Sequence, residues 1–301
     1  MLKYRYTVAV LLAGILWGII GLFIRTLSAA GFNSMQIVFI RASLSMLMLL
    51  CGLLIGKRAL LKIRLRDLWC FIGTGLCSLT FFNFCYFYTM TETSLSIASV
   101  LLYTAPIFVA VMSAVLFKEK LTPIKVLCLM LALLGCVLVT GVLSDARALS
   151  TVGIFTGLGA GIGYALYSIF GRYALERGYH TLTVNFWTFL VATLSLLPFA
   201  KLEHLGAELA TGDFPWLAAV MLVILSTVLP YLLYTYGLTG MEGGRASVLA
   251  TVEPVVATLT GVVCFHETVT VSGAFGMLLV LLAVILLNLP QKTVFFRKKK
   301  T

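Results

Sequence analysis

Charged residues are scarce in this 301-residue sequence, where 22 Lys and Arg and 11 Asp and Glu together make up only 11%. A soluble domain carries about a quarter charged residues, so the composition excludes a large soluble fold and a disordered chain. The sequence also lacks a P-loop, a G-x-S-x-G, an H-E-x-x-H and a C-x-x-C pair. These absences argue against an ATP-driven pump and the common membrane hydrolases. We therefore expect a protein that is not an enzyme, with no cofactor and no metal site.

Apolar residues, by contrast, make up 61% of the sequence and gather in long runs. A membrane-spanning helix needs roughly 20 mostly apolar residues to cross a hydrocarbon core of about 30 Å. Ten runs meet this requirement and are numbered as spans one to ten. They cover residues 7–27, 35–55, 68–90, 95–117, 124–143, 152–174, 182–200, 215–238, 246–265 and 271–289. The sequence predicts an all-α polytopic membrane protein with ten transmembrane helices.

The positive charges predict which face is cytoplasmic, because Lys and Arg near span ends resist translocation. If the N-terminus is inside, the inner segments hold 18 of the 22 basic residues and the outer segments hold three, with Arg41 inside span two. We therefore place both termini in the cytoplasm and call that side the inner face. This distribution accounts for the net charge of +11 without a nucleic-acid partner.

The sequence repeats itself with an offset of 147 or 148 residues, which divides the ten spans into two groups of five. The matching positions are Gly14 and Gly161, Trp17 and Tyr164, Arg25 and Arg172, Tyr86 and Tyr234, 98–101 and 246–249, Pro106 and Pro254, Phe117 and Phe265, and Glu119 and Glu267. Since five is odd, the second group is predicted to be inverted relative to the first, as in many secondary transporters. We expect repeats at 7–143 and 152–289, followed by a basic cytoplasmic tail at 290–301.

These duplicated segments resemble the EamA type of the drug/metabolite transporter superfamily over residues 7 to 289. The segments that carry the resemblance are 14–18, 39–42, 103–106, 117–122, 253–255 and 265–267. The resemblance implies a ten-span carrier of small metabolites in a bacterial inner membrane, commonly an exporter, with spans five and ten at its periphery. The Gly-Glu pair usual in the family is replaced by Lys118-Glu119 and His266-Glu267.

Glu253 is the one acidic residue well inside a predicted span, and Arg41 is the one basic residue there. Charges in hydrocarbon are costly and usually functional. Glu253 has two interpretations, a hydrogen-bonded structural carboxylate or a cavity carboxylate for a substrate amine or a coupling proton. Arg41 also has two, because its side chain either extends to the outer interface or faces the cavity and binds a carboxylate.

Other intramembrane residues complete the candidate site. Pro106 and Pro254 interrupt the helical hydrogen bonding of spans four and nine, and the resulting kinks are expected to face other helices or a cavity. Aromatic side chains in the inner spans are candidates for an apolar cavity wall with hydroxyl tips, and Asn83 is a further polar candidate. The aromatic candidates are Trp17, Tyr86, Tyr103, Tyr164, Tyr167 and Tyr234.

The sequence thus predicts a secondary active transporter that works by alternating access and exports a small solute, such as an amino acid or an amphipathic metabolite, across the plasma membrane. A multidrug exporter of lipophilic cations is the nearest alternative. An intramembrane enzyme and a passive channel are alternatives from other classes. The expected partners are the solute, the lipid bilayer and a coupled proton or counter-solute, and assembly as a homodimer is left open.

Overall fold

A computed structural model describes residues 2–142, 150–201, 203 and 215–289 of the chain. The ten spans are helices at Tyr4–Ala29, Ser34–Gly56, Leu65–Glu92, Leu95–Phe117, Pro123–Val139, Thr151–Glu176, Thr181–Phe199, Trp216–Leu238, Gly243–Phe265 and Val271–Asn288. Nine are long and apolar enough to cross a membrane, and span five, Pro123–Val139, is a shorter apolar helix. The described residues contain no strand, and the predicted all-α polytopic membrane fold is confirmed. The predicted basic tail at 290–301 lies outside the described residues.

Two spans are broken beside their prolines. In span four the helix ends at Leu102 and resumes at Ala105, with Pro106 at its second position. In span nine the first segment ends at Ala250 and the second begins at Val252, two residues before Pro254. Because proline cannot donate a backbone hydrogen bond and clashes with the preceding turn, each helix restarts with its proline in the new first turn.

The same turn chemistry is used at the ends of both broken spans. The helices of spans four and nine end at Phe117 and Phe265, and the C-cap residues that follow, Lys118 and His266, have φ angles of 56° and 55° in the left-handed region. Spans five and ten then begin with Thr122 and Thr270, whose hydroxyls accept hydrogen bonds from the amides of Lys125 and Gly273. These caps close helix ends that otherwise lack partners, and they place Glu119 and Glu267 at opposite ends of the molecule.

The packing of the spans has the symmetry of the repeat. Span one packs against spans eight and nine, and span six packs against spans three and four. Glycines permit both crossings, because a Cβ at Gly14 would lie 3.0 Å from the Ala250 carbonyl oxygen and a Cβ at Gly161 would lie 3.0 Å from that of Leu101. Spans two and seven pack together, as do spans five and ten. The broken spans are therefore held against the glycine-rich faces of spans one and six.

Candidate functional site

A cavity of about 430 Å³ lies between spans one, two, three, four and nine. Its lining begins with Arg25 and Phe265 at the outer ends of the spans and reaches Tyr103 and Glu253, beside the helix breaks of spans four and nine. We call this space the outer cavity. Its size is typical of a site for a small ligand.

The Arg41 side chain lies in the wall of the outer cavity and is only 8% exposed. It therefore does not extend to the outer interface, which was one of its two interpretations. No ion pair or hydrogen bond to its guanidinium occurs among the described residues. A buried guanidinium without a protein carboxylate is a binding group for a carboxylate or phosphate oxygen of a ligand.

Glu253 lines the same cavity and is partly buried. It lies in the first turn of Val252–Phe265, the segment that begins at the break in span nine. Unpaired backbone N–H groups give a helix N-terminus a positive partial charge, which helps to hold a carboxylate at this depth. Among the described residues Glu253 has no ion-pair partner, Arg41 included. Two ionisable groups of opposite sign thus line one cavity without a direct ion pair between them.

Aromatic and amide side chains predicted for the site surround these charges. Trp17, Asn83, Tyr86 and Tyr103 line the outer cavity, and Tyr164 lines a small pocket that shares Tyr103 and Glu253 with it. The Asn83 amide donates a hydrogen bond to the Leu79 carbonyl oxygen at 2.7 Å, which fixes its orientation. Four of the predicted polar and aromatic side chains therefore line the outer cavity together with Glu253, and a fifth, Tyr164, lines the adjoining pocket.

Tyr167 and Tyr234 are predicted site residues that do not line the outer cavity. Both are buried, and their hydroxyls bond Thr235 at 2.6 Å and Ser168 at 2.8 Å. The Tyr167 ring packs with those of Tyr231 and Tyr234, and Trp17 lies against Tyr231 and Tyr234. In this conformation they contribute to an aromatic layer on the inner side of the cavity and do not contact the cavity space.

Sequence reasoning missed several cavity residues, because they are ordinary span residues with no intramembrane charge. Ser99 lines the cavity and its hydroxyl bonds that of Tyr86 at 3.1 Å. Phe82, Phe87 and Thr260 also line it. Ser99 lies in the duplicated segment 98–101, so the repeat was the one available signal.

Comparisons with known proteins agree with this architecture. A model of the EamA-like transporter family matches residues 5–141 and again residues 151–289. An uncharacterized transporter from Archaeoglobus fulgidus is 28% identical over 286 residues, which cover 92% of this chain and 94% of that protein. The threonine/homoserine exporter RhtA of Escherichia coli K12 is 30% identical over 189 residues, which cover 62% of this chain and 60% of the exporter.

The fold is also shared with a solved crystal structure. The two superpose with a TM-score of 0.78 at 20% sequence identity, over 94% of this chain and 96% of the other. At this identity the likeness concerns the fold alone.

Proposed function

Since this chain belongs to the EamA-like transporter family, we propose that it is a secondary carrier that moves a small zwitterionic metabolite, such as an amino acid, through the outer cavity by alternating access. That it is a multi-pass membrane transporter and not an enzyme follows from the family and from the relatives. The solute class, the alternating-access mechanism and the direction of transport, export, are our proposal.

The observation that carries the proposal is a pair of oppositely charged groups that line one cavity and form no direct ion pair. Arg41 and Glu253 both line the outer cavity, and neither has an ion-pair partner among the described residues. Burying a charge without a partner costs several kcal/mol. A zwitterion would neutralise both at once, with its carboxylate on Arg41 and its amine on Glu253. A solute with a single charge would leave one of the two groups unpaired.

The rest of the cavity wall suits the side chain of such a solute. Trp17, Tyr86 and Tyr103 offer ring faces together with hydroxyl and indole groups. Rings of this kind pack against apolar groups and leave hydrogen-bonding tips available. The threonine/homoserine exporter among the relatives is consistent with a small polar amino acid, so threonine and homoserine are the first solutes to test.

An exporter of lipophilic cations remains the second candidate. The carboxylate of Glu253 and the aromatic wall favour cations, since ring faces attract positive charge. Arg41 opposes them, because its guanidinium lies in the same cavity wall and like charges repel strongly where water is scarce. The replacement Arg41→Gln separates the two candidates, because it should weaken amino-acid transport and improve that of a lipophilic cation.

Solute counterflow in proteoliposomes tests the proposal. Liposomes loaded with unlabelled threonine should accumulate labelled threonine transiently, which a passive channel does not support. Glu253→Gln and Arg41→Gln should each reduce the rate by at least about tenfold, because each removes a charge-assisted bond to the solute. Glu92→Gln is the matched control, since Glu92 is exposed and does not line the cavity. Unchanged counterflow with unchanged pH dependence in Glu253→Gln would remove this residue from the mechanism.

A further inference from the structure

Two repeat-related clusters of an arginine, a glutamate and a phenylalanine lie at opposite ends of the molecule. At the inner face Arg172 pairs with Glu119 and lies 4.2 Å from the centre of the Phe117 ring. At the outer face Arg25 pairs with Glu267 at 2.6 Å and lies 4.1 Å from the Phe265 ring. Span nine, Gly243–Phe265, connects the two ends. The clusters therefore have the same composition and the same internal arrangement.

The inner cluster also joins two spans that the outer cluster leaves apart. Glu119 follows span four, is 5% exposed, and accepts hydrogen bonds from the amides of Gly243 at 3.0 Å and Gly244 at 3.4 Å. These amides belong to the first turn of span nine, where N–H groups have no partner within the helix and favour a carboxylate. Glu119 thus ties the end of span four to the start of span nine.

The equivalent bond is open at the outer face. By the 148-residue offset the counterparts of Gly243 and Gly244 are Leu95 and Ser96, at the start of span four. The Glu267 side chain is 49% exposed, and no hydrogen bond joins it to these amides among the described residues. Leu95 and Phe265 both line the outer cavity, so the missing bond lies across its mouth.

We propose that Glu119 and Glu267 are two alternating latches of the carrier, of which one is closed at a time. In the outward-open form described here, Glu119 caps the start of span nine and closes the inner end. In the inward-open form Glu119 releases Gly243 and Gly244, and Glu267 caps Leu95 and Ser96 and closes the outer end. This inference rests on the proposed alternating-access function and adds the residues that switch it.

A second pair of repeat-related residues reports which end is open. Ala257, one turn beyond Glu253, is exposed and lines the outer cavity. Its counterpart Val109 is 0% exposed, and a Cβ at Gly243 would lie 3.5 Å from it. If the two halves exchange conformations, Val109 becomes accessible from the inner face whenever the Glu119 latch opens.

The test introduces Ala257→Cys or Val109→Cys into the full chain in membrane vesicles of either orientation. A membrane-impermeant maleimide then measures the modification rate from each side, with the parent chain as the background for its native thiols. Adding Glu119→Gln should raise modification of the Val109→Cys reporter from the inner side by about tenfold and slow that of Ala257→Cys from the outer side. The factor is that expected for the loss of one charge-assisted hydrogen bond. Adding Glu267→Gln should instead slow the Val109→Cys reaction by a similar factor.

Glu176→Gln is the matched control, because Glu176 pairs with Arg172 at 2.9 Å, is 49% exposed, and among the described residues has no bond to span nine. It should leave both reporters at parent rates. Equal effects of Glu119→Gln and Glu176→Gln, or rates that change in the same direction in Glu119→Gln and Glu267→Gln, would overturn the proposal. If the Glu119→Gln variant fails to fold, the Glu267→Gln variant still tests the proposal, because Glu267 is exposed. An unchanged modification rate of the reporter cysteine in this variant would contradict the latches.

These rates are measured without any solute, so they separate the latches from the proposed function. If modification rates shift in opposite directions in Glu119→Gln and Glu267→Gln while threonine counterflow is absent, the latches are supported and an amino-acid substrate is excluded. If threonine counterflow depends on Glu253 while both latch variants keep the modification rates of the parent chain, the amino-acid substrate is supported and the latches are excluded.

Discussion

The inner and outer ends of the molecule carry related sequences in different surroundings. The Glu119 side chain is 5% exposed and bonds three residues, Arg172, Gly243 and Gly244. The side chain of its repeat partner Glu267 is 49% exposed and, among the described residues, bonds Arg25 alone. The same local sequence thus supports a closed end and an open end. The arginine, the glutamate and the phenylalanine are the same at both ends, whereas the residues whose amides face the glutamate are Gly243 and Gly244 at the inner end and Leu95 and Ser96 at the outer end.

The cavity walls show the same contrast. Tyr86 lines the outer cavity, whereas its repeat partner Tyr234 is buried and bonded to Ser168. One difference is fixed in the sequence, because Ala105 occupies the position that Glu253 has in the second repeat. The conformational machinery is therefore duplicated, while the carboxylate of the proposed binding site occurs once.

The largest expected effect is a difference in stability between variants of the two latch residues, Glu119 and Glu267. Glu119→Gln should lower the free energy of unfolding by about 2–4 kcal/mol, because it leaves buried partners without their charge-assisted bonds. Glu267→Gln should cost less than about 1 kcal/mol, since the Arg25–Glu267 pair is half-exposed and exposed pairs contribute little. Thermal unfolding of the purified variants measures both. Equal losses in the two variants would mean that the ends are energetically equivalent.

The next effect tests the symmetry of the two helix crossings. Gly14→Ala and Gly161→Ala should each destabilise the protein by about 1–3 kcal/mol through overpacking, because each new methyl group would lie 3.0 Å from a carbonyl oxygen of the broken span. Gly171→Ala is the control, since a Cβ there meets nothing within 4 Å and alanine favours a helix. Unfolding temperatures that fall only at Gly14 would show that spans one and six pack differently.

A smaller effect concerns an ion pair, called the tether, that joins the inner ends of two spans and has no counterpart at the outer end in the described part of the chain. Lys125 pairs with Glu242, and the repeat-related positions hold Gly273 and Ser94, which form no ion pair. Partly exposed pairs contribute up to about 1 kcal/mol, so Lys125→Gln should raise inner-side modification of the Val109→Cys reporter by about two- to fivefold. Lys120→Gln, which removes a nearby charge that has no ion pair in the described part of the chain, should leave this rate unchanged. A rate that stays at the parent value in Lys125→Gln would show that the tether does not bias the conformation.

The smallest expected effect is a gain in stability from glycine at two helix ends, and it should be equal at the inner and outer ends of the molecule. Lys118 and His266 have φ angles of 56° and 55°, a conformation that glycine adopts without steric cost. Lys118→Gly and His266→Gly should each stabilise the protein by about 0.5–1 kcal/mol, measured as a rise in unfolding temperature. A gain at only one of them would show that the two helix ends are under different strain.

The spans and their duplication were predictable, because apolar length and a constant offset are both visible in the sequence. The direction in which Arg41 points was not. Span two is apolar around most of its circumference, so no periodicity marks the face on which Arg41 lies. Its place in the cavity wall results from packing against spans that are distant in sequence.

The roles of Tyr86 and Tyr234 show a second limit of the sequence. They are repeat partners of the same residue type, and only the conformation decides which one faces the cavity. The latches show a third limit, because Arg25 and Glu267 are 242 positions apart. The repeat marks each of these positions as duplicated, but it does not indicate which residues bond across the fold.

The most direct test of the account is a pair of distances measured in the same lipid nanodiscs by electron double resonance. One spin-label pair, at Leu95→Cys and Thr268→Cys, spans the outer cavity mouth, and the other, at Lys120→Cys and Met241→Cys, spans the inner end. The account predicts that threonine increases the population with a short outer distance and, to the same extent, the population with a long inner distance. Outer and inner distances that lengthen together, or that stay unchanged while threonine is transported, would contradict it.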